Sequence, residues 1–279
     1  MRITSPHITD LSAVHQDLNW GKWNAFLDLK DEADGENLRA LIREADVVVD
    51  GYRPGVMGRL GFGREAILDL VKDRERGIIH VRENCYGWYG LWSQRSGWQQ
   101  ISDACCGVSR AYAKAMGNDE SEAVTPVFPN SDYCTGVAGT TGVLEALIKR
   151  AKDGGNYTTS LNYYSQWLVR SCGTYSDEVW QELWQQHGSP TFRHYHNMAY
   201  LLPAMMQILV KYDSETLLNP DFFQPMEAKY LMTTFIRPKP VAQFESGVEL
   251  GYHVGTRGNG IDQPVWPKDL TVEVVTGDN

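Results

Sequence analysis

An acid stands just ahead of a helix built from small residues in the stretch FPNSDYCTGVAGTTGVLEALIKR, Phe128 to Arg150. Asp132 is followed by Gly136, Gly139 and Gly142, placed every third residue where Leu or Ala would favour a helix more. Two uses fit this pattern. Ser131 or Asp132 could serve as the helix N-cap, accepting hydrogen bonds from free backbone amides. Alternatively, the helix dipole and unpaired N–H groups would keep the Asp132 carboxylate ionised. An ionised carboxylate can attack an activated acyl carbonyl and form a mixed anhydride. Glycines on the adjoining turns would let a thin ligand arm approach it. The local pattern leaves both uses open.

Other chemistry-bearing groups are weaker. GRLGFG carries glycines at 58, 61 and 63, which is not the G-x-G-x-x-G spacing of a phosphate cradle, and it follows a helix, so a helix stop is the simpler reading. His194 and His196 lie two apart, share a face only on a strand, and lack a nearby third ligand, so no metal is expected. The five cysteines (Cys85, Cys105, Cys106, Cys134 and Cys172) are odd in number and include no C-x-x-C, which suggests reduced thiols rather than a disulfide framework or zinc ribbon. Gly-x-Ser-x-Gly is absent, so the common hydrolase elbow has no support.

The elements that must position these residues alternate. WNAFLDLK, Trp23–Lys30, reads as a strand, with its core at Ala25–Leu29, and Gly35 to Ala45 as an amphipathic helix. Val47–Asp50 is a β-branched run suited to a buried parallel strand. Pro54 opens a short helix, GREAILDLVKDR forms a second, and Ile78–Arg82 a further strand. A helix is expected over Trp98 to Gly107, then an acidic loop, then the Asp132 helix. This alternation indicates an α/β fold with a largely parallel sheet over residues 1 to about 170. The remainder, 171–279, reads as a helical region with a Pro- and Gly-rich tail carrying short β-like pieces. In it, Trp180, Leu183 and Trp184 share a helix face suited to core or subunit interface, and Tyr200–Val210 is an apolar helix with an internal Pro203.

The chain has 279 residues, 42% hydrophobic and 22% charged, with a formal net charge of -9. A pI of about 5.3 argues against nucleic-acid or anionic-membrane partners, and an anionic ligand would need a local cluster of cations. No apolar run approaches the length of a membrane span, and MRITSPHITD lacks the regions of a signal peptide, so cytoplasm is the expected location.

Four colinear blocks between Gly21 and Leu161 resemble the family III CoA-transferases, of the formyl-CoA and carnitine-CoA type. GKWNAFLDLK resembles the family's G-K-R-S-x-x-LDLK block. ADVVVDGYRPGVMGRLGFGREAI resembles ADV-x-x-ENFRPG-x-x-x-RLG. SGWQQISDACCGV resembles the R-P-G-Y-D-x-x-x-Q-A-x-x-G segment, beginning at Arg95. SDYCTGVAGTTGVLEALIKRAKDGGNYTTSL resembles the segment that opens on the family's aspartate. The Trp- and His-rich tail is similar to that of fungal members.

The resemblance implies a Rossmann-like parallel-sheet core of the interlocked-dimer type, with a CoA-binding large domain over 1–170 and a helical C-terminal region over 171–279. It implies that Asp132 is the catalytic aspartate, carrying first an acyl anhydride and then an aspartyl-CoA thioester. Arg59 falls on the arginine that binds CoA phosphates, Tyr52 on the aromatic beside adenine, and Leu60 on a neighbouring apolar contact. Lys22 matches a CoA-contacting lysine, and Trp98 stands where the family has a tyrosine. Gly51 replaces the family's asparagine. No permanently bound cofactor and no metal is implied; acyl-CoA and a carboxylic acid are the substrates, and a homodimer is the expected assembly. The blocks start at the LDLK strand, so the chain is expected to be N-terminally truncated relative to the family, without its first strand and R-x-x-x-G-P loop. Two alternatives accompany the transferase: a CoA-binding but inactive homologue, and an acyl-CoA racemase or isomerase. The latter is disfavoured because related racemases carry an acid/base histidine where Trp98 stands.

Overall fold

The computed structural model describes residues 1–9, 12–128, 130–161, 167–242 and 244–275. The chain divides into two compact units, Met1–Ala45 with Leu218–Asn279, and Asp46–Leu217.

The second unit is built on a parallel sheet of β3 (Val47–Asp50), β4 (Ile79–Glu83) and β5 (Tyr157–Leu161), in the order β3-β4-β5. Val47 pairs with Ile79, and Ile79 with Tyr157. The middle strand holds the core, with Ile79 and Val81 buried against Ala146, Val143 and Leu147 of the long helix α7 (Asn130–Asp153). Arg150, in the last turn of α7, complements the negative end of the helix and ion-pairs with Asp46 at 3.0 Å, next to the start of β3. Between β3 and β4 lie α3 (Val56–Arg59) and α4 (Arg64–Leu70), and Ile67 of α4 is buried. After β4 come α5 (Gln99–Cys105) and α6 (Val108–Ala115). A second core gathers Ala113, Met116, Val124 and Val127 with Phe192 and Leu201. It receives α8 (Asp177–Gln186) and α9 (Met198–Leu217). Ser176 caps α8, and Trp180 and Trp184 stack at 4.8 Å with their rings packed into this core; Leu183 stays partly exposed. Pro203 sits within α9 without ending it.

In the first unit, β1 (Arg2–Thr4) runs parallel to β2 (Asn24–Phe26), flanked by α1 (Ser12–Leu18) and α2 (Glu32–Glu44). Asp31 caps α2 by accepting from the amides of Ala33 and Asp34, and Leu38, Leu41 and Ile42 form its buried face. The tail returns as an antiparallel hairpin, β6 (Phe223–Ala228) and β7 (Thr233–Pro238). Bonds across the sequence close this unit: Gly21 N–H to Val254 O at 2.8 Å, Asn24 N–H to Asp262 Oδ2 at 2.7 Å, and Trp266 Nε1 to Leu41 O at 3.0 Å. Arg257, 1% exposed, lies over the Trp23 ring and ion-pairs with Asp262 at 2.7 Å and Glu273 at 2.5 Å.

The α/β class and its parallel strands agree with the expectation, with refinements. The parallel strands fall into two sheets rather than one. Val47–Asp50 is a strand as expected, whereas the strand expected at Ala25–Leu29 covers Asn24–Phe26 and that expected at Ile78–Arg82 covers Ile79–Glu83. The β2 strand ends early because Leu27 N–H still bonds back to Thr4 O, after which Asp28 N–H turns to Asp34 Oδ2. The Trp98–Gly107 helix spans Gln99–Cys105, with Trp98 as its extended N-cap residue.

Candidate active site

In parallel α/β sheets the turns that follow the strands' carboxyl ends form a crevice suited to ligands. Here Gly51 and Tyr52 follow β3, while Glu83, Asn84 and Cys85 close β4. These residues, with Arg53, Arg95, Trp98, Ser131, Asp132 and Thr135, line a cleft of about 370 Å³. The Asp132 carboxylate is delivered by the first turn of α7, whose far turns are anchored on β4.

Helix α7 begins at Asn130, so Ser131 and Asp132 lie inside its first turn, correcting their expected place as N-cap. Ser131 Oγ instead donates to Asp103 Oδ1 at 3.0 Å. Asp103, buried on α5, also accepts from Gln99 Nε2. The expected electrostatics are corrected too. Burial, joined by the charge of Asp103, pushes the Asp132 carboxyl above its ordinary range, in the direction opposite to that of a dipole-stabilised carboxylate. Asp132 remains exposed to the cleft, and a Cβ added at Gly136, one turn on, would meet nothing within 4 Å. The space beside the carboxylate is open.

A second carboxylate shares the cleft. Glu83 has its pKa raised, first by burial and then by the negative charge of Asp132. Burial pushes the Cys85 thiol upward, and the charge of Asp132 pushes the same way, which disfavours its thiolate. Its Sγ points to Trp98 O at 3.6 Å. Gly97 permits this packing, since a Cβ there would lie 2.5 Å from Cys85 Sγ and 2.6 Å from the Tyr86 ring. Asn84 shapes the loop by accepting from Tyr86 N–H at 2.9 Å and donating to Ser93 O at 2.8 Å.

Of the residues singled out from sequence, Asp132, Tyr52 and Trp98 meet in this cleft. Arg59, exposed, ends α3, and Leu60 is its half-buried C-cap residue; neither lines the cleft. Lys22 belongs to the first unit, where its Nζ donates to Leu18 O at 2.6 Å, and burial followed by the charge of Arg2 lowers its pKa. Glu83, Arg53 and Arg95 were not singled out as site residues. Arg53 adjoins Tyr52, and Arg95 opens the block preceding α5, so proximity to recognised residues was the available signal. Glu83 reads in sequence only as a polar strand end. His194 pairs with Glu122 at 2.9 Å, and no group of three potential metal ligands occurs among the described residues. No helix among them is long and apolar enough to cross a membrane.

Residues 1–182 match the model of CoA-transferase family III. The chain is 59% identical over 278 residues to the acetyl-coenzyme A transferase nodX of Hypoxylon pulicicidum, covering 99% of this chain and 46% of that protein. It is 37% identical over 196 residues to an acyl-CoA transferase of Gibberella moniliformis, covering 69% and 34%. The chain thus spans less than half the length of either relative. The crystal structure of Rv3272 from Mycobacterium tuberculosis, in its orthorhombic form, superposes with a TM-score of 0.63 at 19% identity, over 92% of this chain and 88% of that one. A family model spanning residues 1–182, on a fold that sets Asp132 at the carboxyl ends of parallel strands, assigns the chain to the CoA-transferase family III.

Proposed function

We propose that this chain carries the catalytic centre of a CoA-transferase that moves CoA from an acyl-CoA to a carboxylic acid, with Asp132 as the nucleophile. The observation that carries this reading is Asp132 on the first turn of α7, open to a cleft lined by two arginines, in a chain of this family. The Asp132 carboxylate attacks the thioester carbonyl; the C–S bond breaks and CoA thiolate leaves an acyl-aspartyl anhydride. The thiolate then attacks the aspartyl carbonyl, giving an aspartyl-CoA thioester and freeing the donor acid. The acceptor carboxylate attacks that thioester and again expels the thiolate. Attack of the thiolate on the acceptor's acyl carbonyl forms the new acyl-CoA and regenerates Asp132. Proton transfer is not required at any of these steps, which suits a site whose central group is a carboxylate. Arg53 and Arg95 supply the local cations that an acidic protein needs for anionic substrates.

In this reading residues 1–170 supply CoA binding. Arg59 takes the phosphates, Tyr52 and Leu60 flank the adenine, and Lys22 and Trp98 make further CoA contacts. CoA is a substrate, with no resident cofactor. The exposed row Leu202, Met206 and Val210 on α9, with Tyr200, supports self-association as a homodimer. Cytoplasmic location belongs to the same reading.

The test is trapping. The full chain incubated with acetyl-CoA and then hydroxylamine is expected to carry a hydroxamate at Asp132 by mass spectrometry. CoA binding without any adduct would favour the inactive homologue. One observation favours a second reading: Glu83 and Asp132 are two carboxylates in one cleft, as proton exchange beside a thioester carbonyl would need. Deuterium incorporation at the α-carbon of propionyl-CoA in deuterated water, without transfer, would select that isomerase chemistry.

Arg59→Ala is expected to weaken CoA binding by about 1.5–3 kcal/mol in calorimetry, the worth of a charged hydrogen-bond partner. Unchanged affinity would pass the phosphate role to Arg53 or Arg95. Glu83 predicts a pH dependence. Its raised pKa keeps it protonated further up the pH scale than an ordinary glutamate, and its ionisation above that point repels an incoming acceptor carboxylate. KM for the acceptor acid is therefore expected to rise with pH, and Glu83→Gln to flatten that rise. The difference at the alkaline end should be about fivefold, equivalent to ~1 kcal/mol of like-charge repulsion in an open cleft. Parallel KM profiles for wild type and Glu83→Gln would exclude this role.

A further inference from the structure

The two buried arginines of the first unit differ in one respect. Arg257 has two carboxylates, whereas Arg237 has none: among the described residues no Asp or Glu oxygen lies within ion-pair distance of it, although it is only 7% exposed. Arg237 projects from β7, where the two-residue alternation places it on the same face as Phe235, whose ring packs edge-on against Trp20 at 5.9 Å. Its Nε donates to Met226 Sδ at 3.0 Å and its Nη1 to Pro238 O at 3.1 Å. The guanidinium lies over the Tyr252 ring at 5.0 Å and the Trp20 ring at 5.9 Å. Nη2 has no acceptor among the described residues, so the fork is half used.

A buried cation without a counter-charge is unfavourable unless something supplies the negative charge. Arg237 lines a cleft of about 440 Å³ together with Lys239, Trp20 and Tyr252. Asp17 lines it too, outside ion-pair distance of Arg237, so among the described lining residues two cations stand to one acid. None of these residues belongs to the Asp132 cleft. We propose that this cleft is a second, separate binding site for a small dianion, a phosphate or a dicarboxylate, held by the free edge of Arg237 and by Lys239 between aromatic walls. A planar guanidinium already stacked on aromatic rings is preorganised for such an anion, so little side-chain freedom is lost on binding.

Thermal unfolding of the full chain tests this, with inorganic pyrophosphate and malonate titrated separately against sodium chloride at matched ionic strength. A ligand that binds only the folded state raises the midpoint by mass action. One of the two is expected to do so, and which one responds sorts phosphate from carboxylate. Arg237→Met should weaken the apparent affinity about tenfold or more, as loss of a charged hydrogen-bond donor does. It should also leave the ligand-free midpoint equal or higher, because the uncompensated charge is gone. A purely structural arginine would instead give a lower midpoint and an unchanged response. Arg59→Ala, run in parallel, should retain the response, separating this cleft from the CoA-phosphate role proposed above. No response to either anion in the wild type, or an equal response in Arg237→Met, overturns the proposal. Should the methionine variant not fold, Arg237→Lys and Lys239→Gln address the same site, and a response unchanged in both overturns it equally.

Discussion

Asp132→Asn is expected to lower the rate of CoA transfer by about 10⁴–10⁶-fold, the scale on which removal of a covalent nucleophile is felt. The amide keeps the shape of the side chain and removes the oxygen anion that, in the proposed mechanism, attacks the thioester. Folding and CoA binding should persist, so loss of activity with retained CoA affinity identifies the defect as chemical. Among the described residues Asp132 makes no capping bond that the amide would need to replace, and the opposite effect on stability is expected. Because burial and Asp103 raise the Asp132 pKa in the folded protein, the ionised form is disfavoured there relative to the unfolded chain. That penalty applies above the folded pKa and fades as pH falls through it towards the unfolded value. Asp132→Asn should thus be slightly more stable than wild type at neutral pH, with the difference vanishing in acid. The acid limb of the activity profile should correspondingly lie above the usual carboxylate range, since attack requires the ionised form. A deamidation-free Asp132→Asn protein with wild-type turnover would remove Asp132 from the nucleophile role. Asp132→Asn less stable at pH 7 than at pH 4, relative to wild type, would contradict the electrostatic account.

The largest stability effect is expected at Arg257. Arg257→Met leaves Asp262 and Glu273 buried without their cation, and breaking a buried pair in this way costs about 3–5 kcal/mol. Methionine keeps most of the stem that lies over Trp23, so the loss reports charge more than packing. Neutralising the acids in the same protein, as Arg257→Met with Asp262→Asn and Glu273→Gln, should recover much of the loss. Recovery should be incomplete because Asp262 also receives the Asn24 N–H, a partner that asparagine accepts less strongly. Urea unfolding midpoints of the three proteins measure both steps. A single variant within 1 kcal/mol of wild type would show that water reaches these carboxylates.

What the sequence disclosed follows from how local each signal is. Val47–Asp50 was legible because a β-branched run declares itself without partners, but its place was not: β3 is an edge strand of its sheet, with Val49 66% exposed, rather than the buried strand expected. Strand β2 was misjudged at its end because its termination depends on Asp34, six residues beyond Asp28 and already inside a helix. Asp132 was found through its family block, yet its acidity was misjudged, because burial in the cleft, and then the charge of Asp103 from another helix, raise its pKa, whereas the dipole argument sees only its own helix. Glu83 carries no local mark at all: it becomes a site residue only when β4 is laid beside β3. The union of Met1–Ala45 with the tail from Leu218 was equally hidden, since its bonds join residues more than two hundred positions apart.

That union has a consequence during synthesis. At translation rates of 5–20 residues per second, roughly ten to thirty seconds separate the emergence of Ala45 from that of Leu218. Through that interval β1, β2 and α2 wait without the tail that supplies Arg257, Asp262 and Trp266, and their apolar faces, Trp23 and Leu41 among them, lie uncovered. The Asp46–Leu217 segment meets no such delay, because β3, β4, β5 and α7 all emerge within it. The Asp46–Leu217 segment can therefore close on itself while Met1–Ala45 still waits for the residues from Leu218 onward.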